Sequence, residues 1–129
     1  MTQVDRSQGD WITSGKVKAR EAADGVEIVI DGLTTLGRYY KPLVYEFFRK
    51  EWRGGRPAMY DLGGDYGVDI RMEHVGDPPM MDLDNLAKAL LDAIKGFVFH
   101  DDSQVARLLV ERFPGEREQI VIRVWPLRR

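Results

Sequence analysis

Asp82 and Asp84 stand at i and i+2 directly after the loop Pro78-Pro79-Met80-Met81, and Asn85 and Lys88 follow within a turn. Two carboxylates so placed at the start of a helix can face one hard divalent cation, which takes oxygen ligands and a substrate phosphate. Lys88, one turn past Asp84, is spaced to meet a phosphate oxygen. If the segment after the helix folds back, Asp101 or Asp102 adds a third carboxylate. Carboxylates, a lysine and a polyanion together suggest metal-assisted phosphodiester hydrolysis. The same residues also have a plainer reading. Asp82 suits an N-cap, and Asp84, Lys88 and Asp92 suit a solvated salt-bridge ladder, with Asp101-Asp102 a simple turn. Spacing alone leaves both open. An EF-hand starting at Asp82 is excluded, because Leu86 and Ala87 stand where a polar ligand and a glycine belong.

The elements that must position these groups read from periodicity. Apolar residues at Leu86, Leu90, Ala93 and Ile94 predict a helix over about 83–95 that stops at Gly96. An earlier helix begins near Pro42 and buries Leu43, Val44, Phe47, Phe48 and Trp52 before Gly54-Gly55. Alternation predicts strands at 16–21 and 26–31, joined through Asp24-Gly25, and a third at 67–74. Two further β-rich runs, 104–113 and 119–125, flank Pro114-Gly115-Glu116-Arg117 and read as a terminal hairpin. The sum is an α+β fold: a small mixed sheet of four to five strands with two main helices, covered mainly on one face. Residues 1–24 read as an N-terminal extension, partly flexible with room for an extra strand, and 25–129 as the domain proper.

Length and composition bound the rest. The chain has 129 residues, enough for one domain, and no apolar run long enough to span a bilayer. Zero cysteines exclude disulfides, thiol catalysis and cysteine-ligated metals. The opening Met1-Thr2-Gln3-Val4-Asp5 lacks a secretion pattern, so the expected location is cytoplasmic. The net charge of −2 hides a segregation: +4 over 38–56, −7 over 61–102 and +3 over 103–129. An acidic centre between basic flanks suits a metal-dependent enzyme acting on a polyanion, and equally suits solvated faces.

With these residues in view, Asp82-Leu83-Asp84-Asn85-Leu86-x-Lys88-x-x-x-Asp92-Ala93, then Gly96-Phe97 and Asp101-Asp102-x-Gln104-Val105, resembles the RusA family of Holliday-junction resolvases. Ile28-Val29-Ile30 followed by Arg38-Tyr39-Tyr40-Lys41 extends the likeness, which covers about 26–125. The resemblance implies a homodimeric endonuclease of recombination and repair that nicks four-way DNA junctions symmetrically. Its cofactor would be Mg²⁺, with Mn²⁺ as a substitute. By carry-over Asp82, Asp84 and Asp102 are the essential metal carboxylates, Asp101 a further contributor and Lys88 the catalytic lysine. Asn85 and Asp92 support them, Asp92 by an i, i+4 pairing with Lys88. Such proteins are frequent in phages and prophages, so the expected setting is a bacterial or phage-infected cell.

The chain departs from that pattern where a basic run usually precedes the paired aspartates; here stands Gly76-Asp77-Pro78-Pro79-Met80-Met81. Arg38, Lys41, Arg49, Lys50, Arg53 and Arg56 are the candidate phosphate contacts that could replace it, with a solvated helix face as the other reading. The alternative function is a RusA-like domain that binds branched DNA or a protein partner without cutting. Tyr39 and Tyr40 are read as base-stacking or core residues, and Met80, Met81 and Trp125 as packing or dimer contacts.

Overall fold

A computed structural model describes residues 9–22, 24–34, 37–52 and 64–127. It holds strands β1 (Ile12–Ser14), β2 (Val17–Ala22) and β3 (Gly25–Asp31), then a 3-10 turn, Gly37–Tyr39, leading into helix α1 (Tyr40–Lys50). Strand β4 (Tyr66–His74), helix α2 (Leu83–Ile94), a second 3-10 turn at Asp102–Gln104, and strands β5 (Val105–Pro114) and β6 (Gln119–Pro126) complete the chain order. One six-stranded sheet runs β1-β2-β3-β6-β4-β5, so the described strands exceed the expected four to five while the mixed α+β architecture stands.

The β2–β3 hairpin forms where Asp24-Gly25 places it, with Ala22 opposite Gly25 and Val17 opposite Ile30. Its inward residues join Ile120, Ile122 and Val124 of β6 and Val68, Ile70 and Met72 of β4 in one buried layer. Both helices close that layer, α1 through Val44, Phe47 and Phe48, α2 through Leu86, Leu90, Ala93 and Ile94. Helix α2 stops at Gly96, whose φ of 86° is open to glycine at little strain, and the Gly96 N–H bonds the Phe99 carbonyl at 2.7 Å. Tyr40 is buried, its hydroxyl accepting the Thr34 N–H at 2.9 Å, whereas Tyr39 faces solvent.

The expected terminal hairpin does not form. β6 lies between β3 and β4, antiparallel to both, and β5 pairs parallel to β4 at the sheet margin. The reversal after Pro114 therefore steps over the end of β4, about 10 Å at the usual strand spacing. Glu73 on β4 makes the step possible. Its carboxylate accepts the backbone N–H groups of Glu116 at 2.8 Å and Arg117 at 2.9 Å, and the Gln119 side chain at 3.0 Å. The strongly apolar β6 gains a two-sided place, and β5, with charges on both faces, takes the margin.

Candidate active site

The β4–α2–β5 crossover decides where each candidate residue goes. Asp82 occupies the N-cap position of α2 with extended backbone angles, φ −74° and ψ 129°, and its carbonyl accepts the Leu86 N–H at 3.1 Å. The carboxylate makes no cap hydrogen bond. Asn85 Nδ2 donates to Asp82 Oδ2 at 3.4 Å, and Asp84 lies in the first turn, where the helix dipole favours a negative charge. Lys88 is exposed one turn on. Among the described residues, no ion pair joins it to Asp84 or Asp92, so the salt-bridge ladder is not formed.

Asp82 and Asn85 line an open cleft of about 710 Å³ with Arg38, Met80, Met81, Ala89 and Arg112. Two guanidinium groups from distant parts of the chain thus share a cleft with the first motif carboxylate. Arg38 comes from the 3-10 turn ahead of α1, as its place in the Arg-Tyr-Tyr-Lys run suggested. Arg112 comes from β5 and was not singled out by sequence. Its only signals were its place in an alternating run and the positive excess after residue 103.

Asp101 and Asp102 lie elsewhere. Because β5 is parallel to β4, helix α2 must return the chain from the His74 end of the sheet to the Tyr66 end before β5 begins. The 12 residues of α2 rise about 18 Å, so the two acidic pairs stand at opposite ends of it. The turn there is self-contained. Asp101 accepts the Ser103 N–H at 3.2 Å, while the Gln104 side chain accepts the His100 and Asp101 N–H groups and donates to the Gly64 carbonyl at 3.2 Å. The Ser103 hydrogen bonds hold the Asp101 carboxyl below its usual range, with Lys95 helping. The fold-back that would add Asp101 or Asp102 to Asp82 and Asp84 is not formed among the described residues. Among the described residues no three carboxylate or imidazole groups stand close enough to share a metal ion. Among the described residues, the Asp82–Asp84 pair and the Asp101–Asp102 pair therefore stand apart.

The candidate DNA contacts divide into groups. Lys41 approaches Asp92 at 3.8 Å, so Asp92 serves the α1–α2 junction and does not orient Lys88 as its spacing suggested. Arg49 and Lys50 both pair with Glu46 on their own helix, at 2.9 and 3.3 Å, and these hydrogen bonds pull the Glu46 carboxyl below its usual range. Arg53 and Arg56 lie outside the described residues. His74 is buried with Nδ1 2.8 Å from the Gly76 carbonyl, far from a ligand role. Among the described residues no helix is long and apolar enough to cross a membrane.

Comparison with known proteins bears on the same stretch. Residues 69–125, from within β4 to near the end of β6, match the family model described as Endodeoxyribonuclease RusA. No curated protein matches the chain.

Proposed function

We propose, from the premise that the stretch from Asp69 to Trp125 belongs to the RusA endodeoxyribonuclease family, that this protein resolves four-way DNA junctions by paired, symmetric nicks during recombination and repair. The observation that carries this reading is the cleft in which Asp82 and Asn85 meet Arg38 and Arg112. Guanidinium groups bind phosphate bidentately, so the cleft offers a backbone contact beside a carboxylate that caps no helix N–H. Lys88 presents its ammonium on the same helix to the scissile phosphate, where it would stabilise developing charge. Asp84 completes the carboxylate pair and Asn85 fixes the Asp82 rotamer.

A carboxylate pair repels a phosphate unless a cation stands between them, which is why Mg²⁺, or Mn²⁺ in its place, belongs to this reading. Two copies acting together would supply the two cuts that symmetric resolution needs. The setting is the cytoplasm of a bacterial or phage-infected cell.

The deciding experiment is cleavage of a labelled synthetic four-way junction, with and without Mg²⁺, beside linear duplex and a flap. The expected result is paired nicks on the junction alone, abolished by EDTA. A second reading, binding of branched DNA without cutting, is favoured by the missing basic run before Asp82 and by the separation of the acidic pairs. Tight junction binding with no cleavage at low salt would establish it.

A further inference from the structure

Tyr39 holds its ring outside the core: it is 55% exposed, while Tyr40 beside it is buried. With Ile30, Leu33 and Leu43 it lines a cavity of about 300 Å³ that shares no residue with the Asp82 cleft. Lys16 and Asp31, both exposed, line it too. Hydrogen bonds fix the loop that forms one wall. The Tyr40 hydroxyl accepts the Thr34 N–H at 2.9 Å and donates to the Thr34 carbonyl at 3.4 Å. The Gly32 N–H bonds the Glu118 carbonyl at 2.8 Å, and the Asp31 N–H bonds the Lys16 carbonyl at the same distance.

Position ties this cavity to the phosphate cleft. Arg38 and Tyr39 are neighbours in one 3-10 turn, yet Arg38 lines the Asp82 cleft and Tyr39 lines the cavity. The sheet repeats the connection. Ile30 on β3 pairs with Ile120 on β6, Ile120 with Met72 on β4, and Met72 with Arg112 on β5. One cross-strand row therefore starts at the cavity and ends at the second guanidinium of the cleft. Its three strand spacings measure about 14 Å. That is about four nucleotide steps at the B-DNA rise per strand.

The lining fits a nucleobase. An exposed aromatic ring with aliphatic walls offers a stacking face, and an ammonium group alongside suits the backbone that carries the base. Among the described residues no ion pair engages Lys16. A base inside a duplex is held by stacking and pairing, and extracting it costs least where those are already interrupted. The branch of a four-way junction is such a place.

Resting on the endonuclease reading, we infer that this cavity takes one unstacked base from the branch of the DNA, against the Tyr39 ring, while Arg38 and Arg112 hold phosphates of the same strand. Phosphate contacts are alike on duplex and junction and carry no preference between bases. The cavity supplies the preference for the branch.

Two measurements test this on the full-length protein, both with EDTA present so that no strand is cut. In the first, 5-iodouracil replaces, one at a time, the nucleotides flanking the exchange point of a synthetic four-way junction. On irradiation one position should cross-link to Tyr39 of the wild type, located by mass spectrometry, and the same strand in linear duplex should not. The second measures affinity. Tyr39→Ala should bind the junction about tenfold more weakly, within the usual effect of losing one base–aromatic stack, with duplex affinity unchanged. Tyr39→Phe, which keeps the ring, should bind as the wild type does. An abasic nucleotide at the cross-linking position should remove the difference between wild type and Tyr39→Ala. A cross-link outside the cavity, an equal loss on duplex, or a tenfold loss that persists on the abasic junction would overturn the inference. If the junction is cut with Mg²⁺ in any of those cases, the endonuclease reading survives. Base capture by a wild type that cuts nothing would leave the cavity standing and remove the nuclease.

Discussion

Lys41 Nζ, in the first turn of α1, lies 3.8 Å from Asp92 Oδ2, in the last turn of α2. The pair joins the two helices at the end of α2 away from Asp82. Both side chains keep solvent contact, 56% and 28%, so water screens most of their attraction. Asp92→Asn should therefore lower stability by no more than about 1 kcal/mol in urea unfolding. A much larger loss would show that the pair, and not apolar packing, holds the helices together.

The Asp82 carboxylate caps nothing, so Asp82→Asn should unfold at the wild-type urea midpoint while losing junction cleavage. Lys88→Ala should keep junction affinity and lower the cleavage rate by about 10²–10³, the usual effect of removing one group that stabilises transition-state charge. Single-turnover kinetics at saturating protein separates the two effects. Wild-type rates from either variant would remove these residues from the reaction.

Arg38→Ala and Arg112→Ala should each weaken junction binding similarly across sequences and reduce the salt slope of log affinity by about one. Arg49→Ala should change the slope less, because Glu46 already engages that guanidinium. A titration of binding against salt distinguishes the three. Equal slopes for all of them would mean that the cleft is not the DNA surface.

Glu73 titrates below the usual carboxylate range because the Arg117 N–H, the Gln119 side chain and the Glu116 N–H bond its charged form. A group whose pKa is depressed by folding stabilises the protein above its unfolded pKa and loses that contribution as pH falls through the folded value. Glu73→Gln should thus be less stable than wild type at neutral pH, with the gap closing in acid. A gap that is constant with pH would assign the effect to lost hydrogen-bond geometry alone.

Gly67 lies under the Trp125 ring, and a Cβ there would stand 2.6 Å from Cζ2 and 2.7 Å from Cε2. Gly67→Ala should cost about 1–3 kcal/mol, as overpacking does. Combined with Trp125→Ala it should cost less than the sum of the two changes, since the clash disappears with the ring. Strict additivity would place the strain elsewhere.

Local pattern was enough for much of this fold. The Asp24-Gly25 turn, the Leu86–Ile94 face of α2 and its stop at Gly96 are written in neighbouring residues, and the structure realises them. The terminal hairpin failed because the partner that shapes the Pro114–Gln119 reversal is Glu73, more than 40 positions away. A strap over a strand end and a tight hairpin share the same proline, glycine and charged residues. The acidic residues were legible as types and spacings. Their separation was not, because it depends on β5 pairing parallel to β4, a choice of strand order that no short window records. Arg112 was overlooked for the same reason: only the sheet brings it to Asp82.

Within the sheet, β1–β3 and β4–β5 meet through β6. β6 also follows β3 and β4 in chain order, so it leaves the ribosome after both strands that it must join. Until then β3 and β4 each present an unzipped inner edge, and pairing across so long a span of chain is slow to form. Synthesis therefore passes through a stage in which two incomplete half-sheets wait for their common seam, a period when a chaperone or a protease has access to both. A chain interrupted before Gln119 is left at that stage.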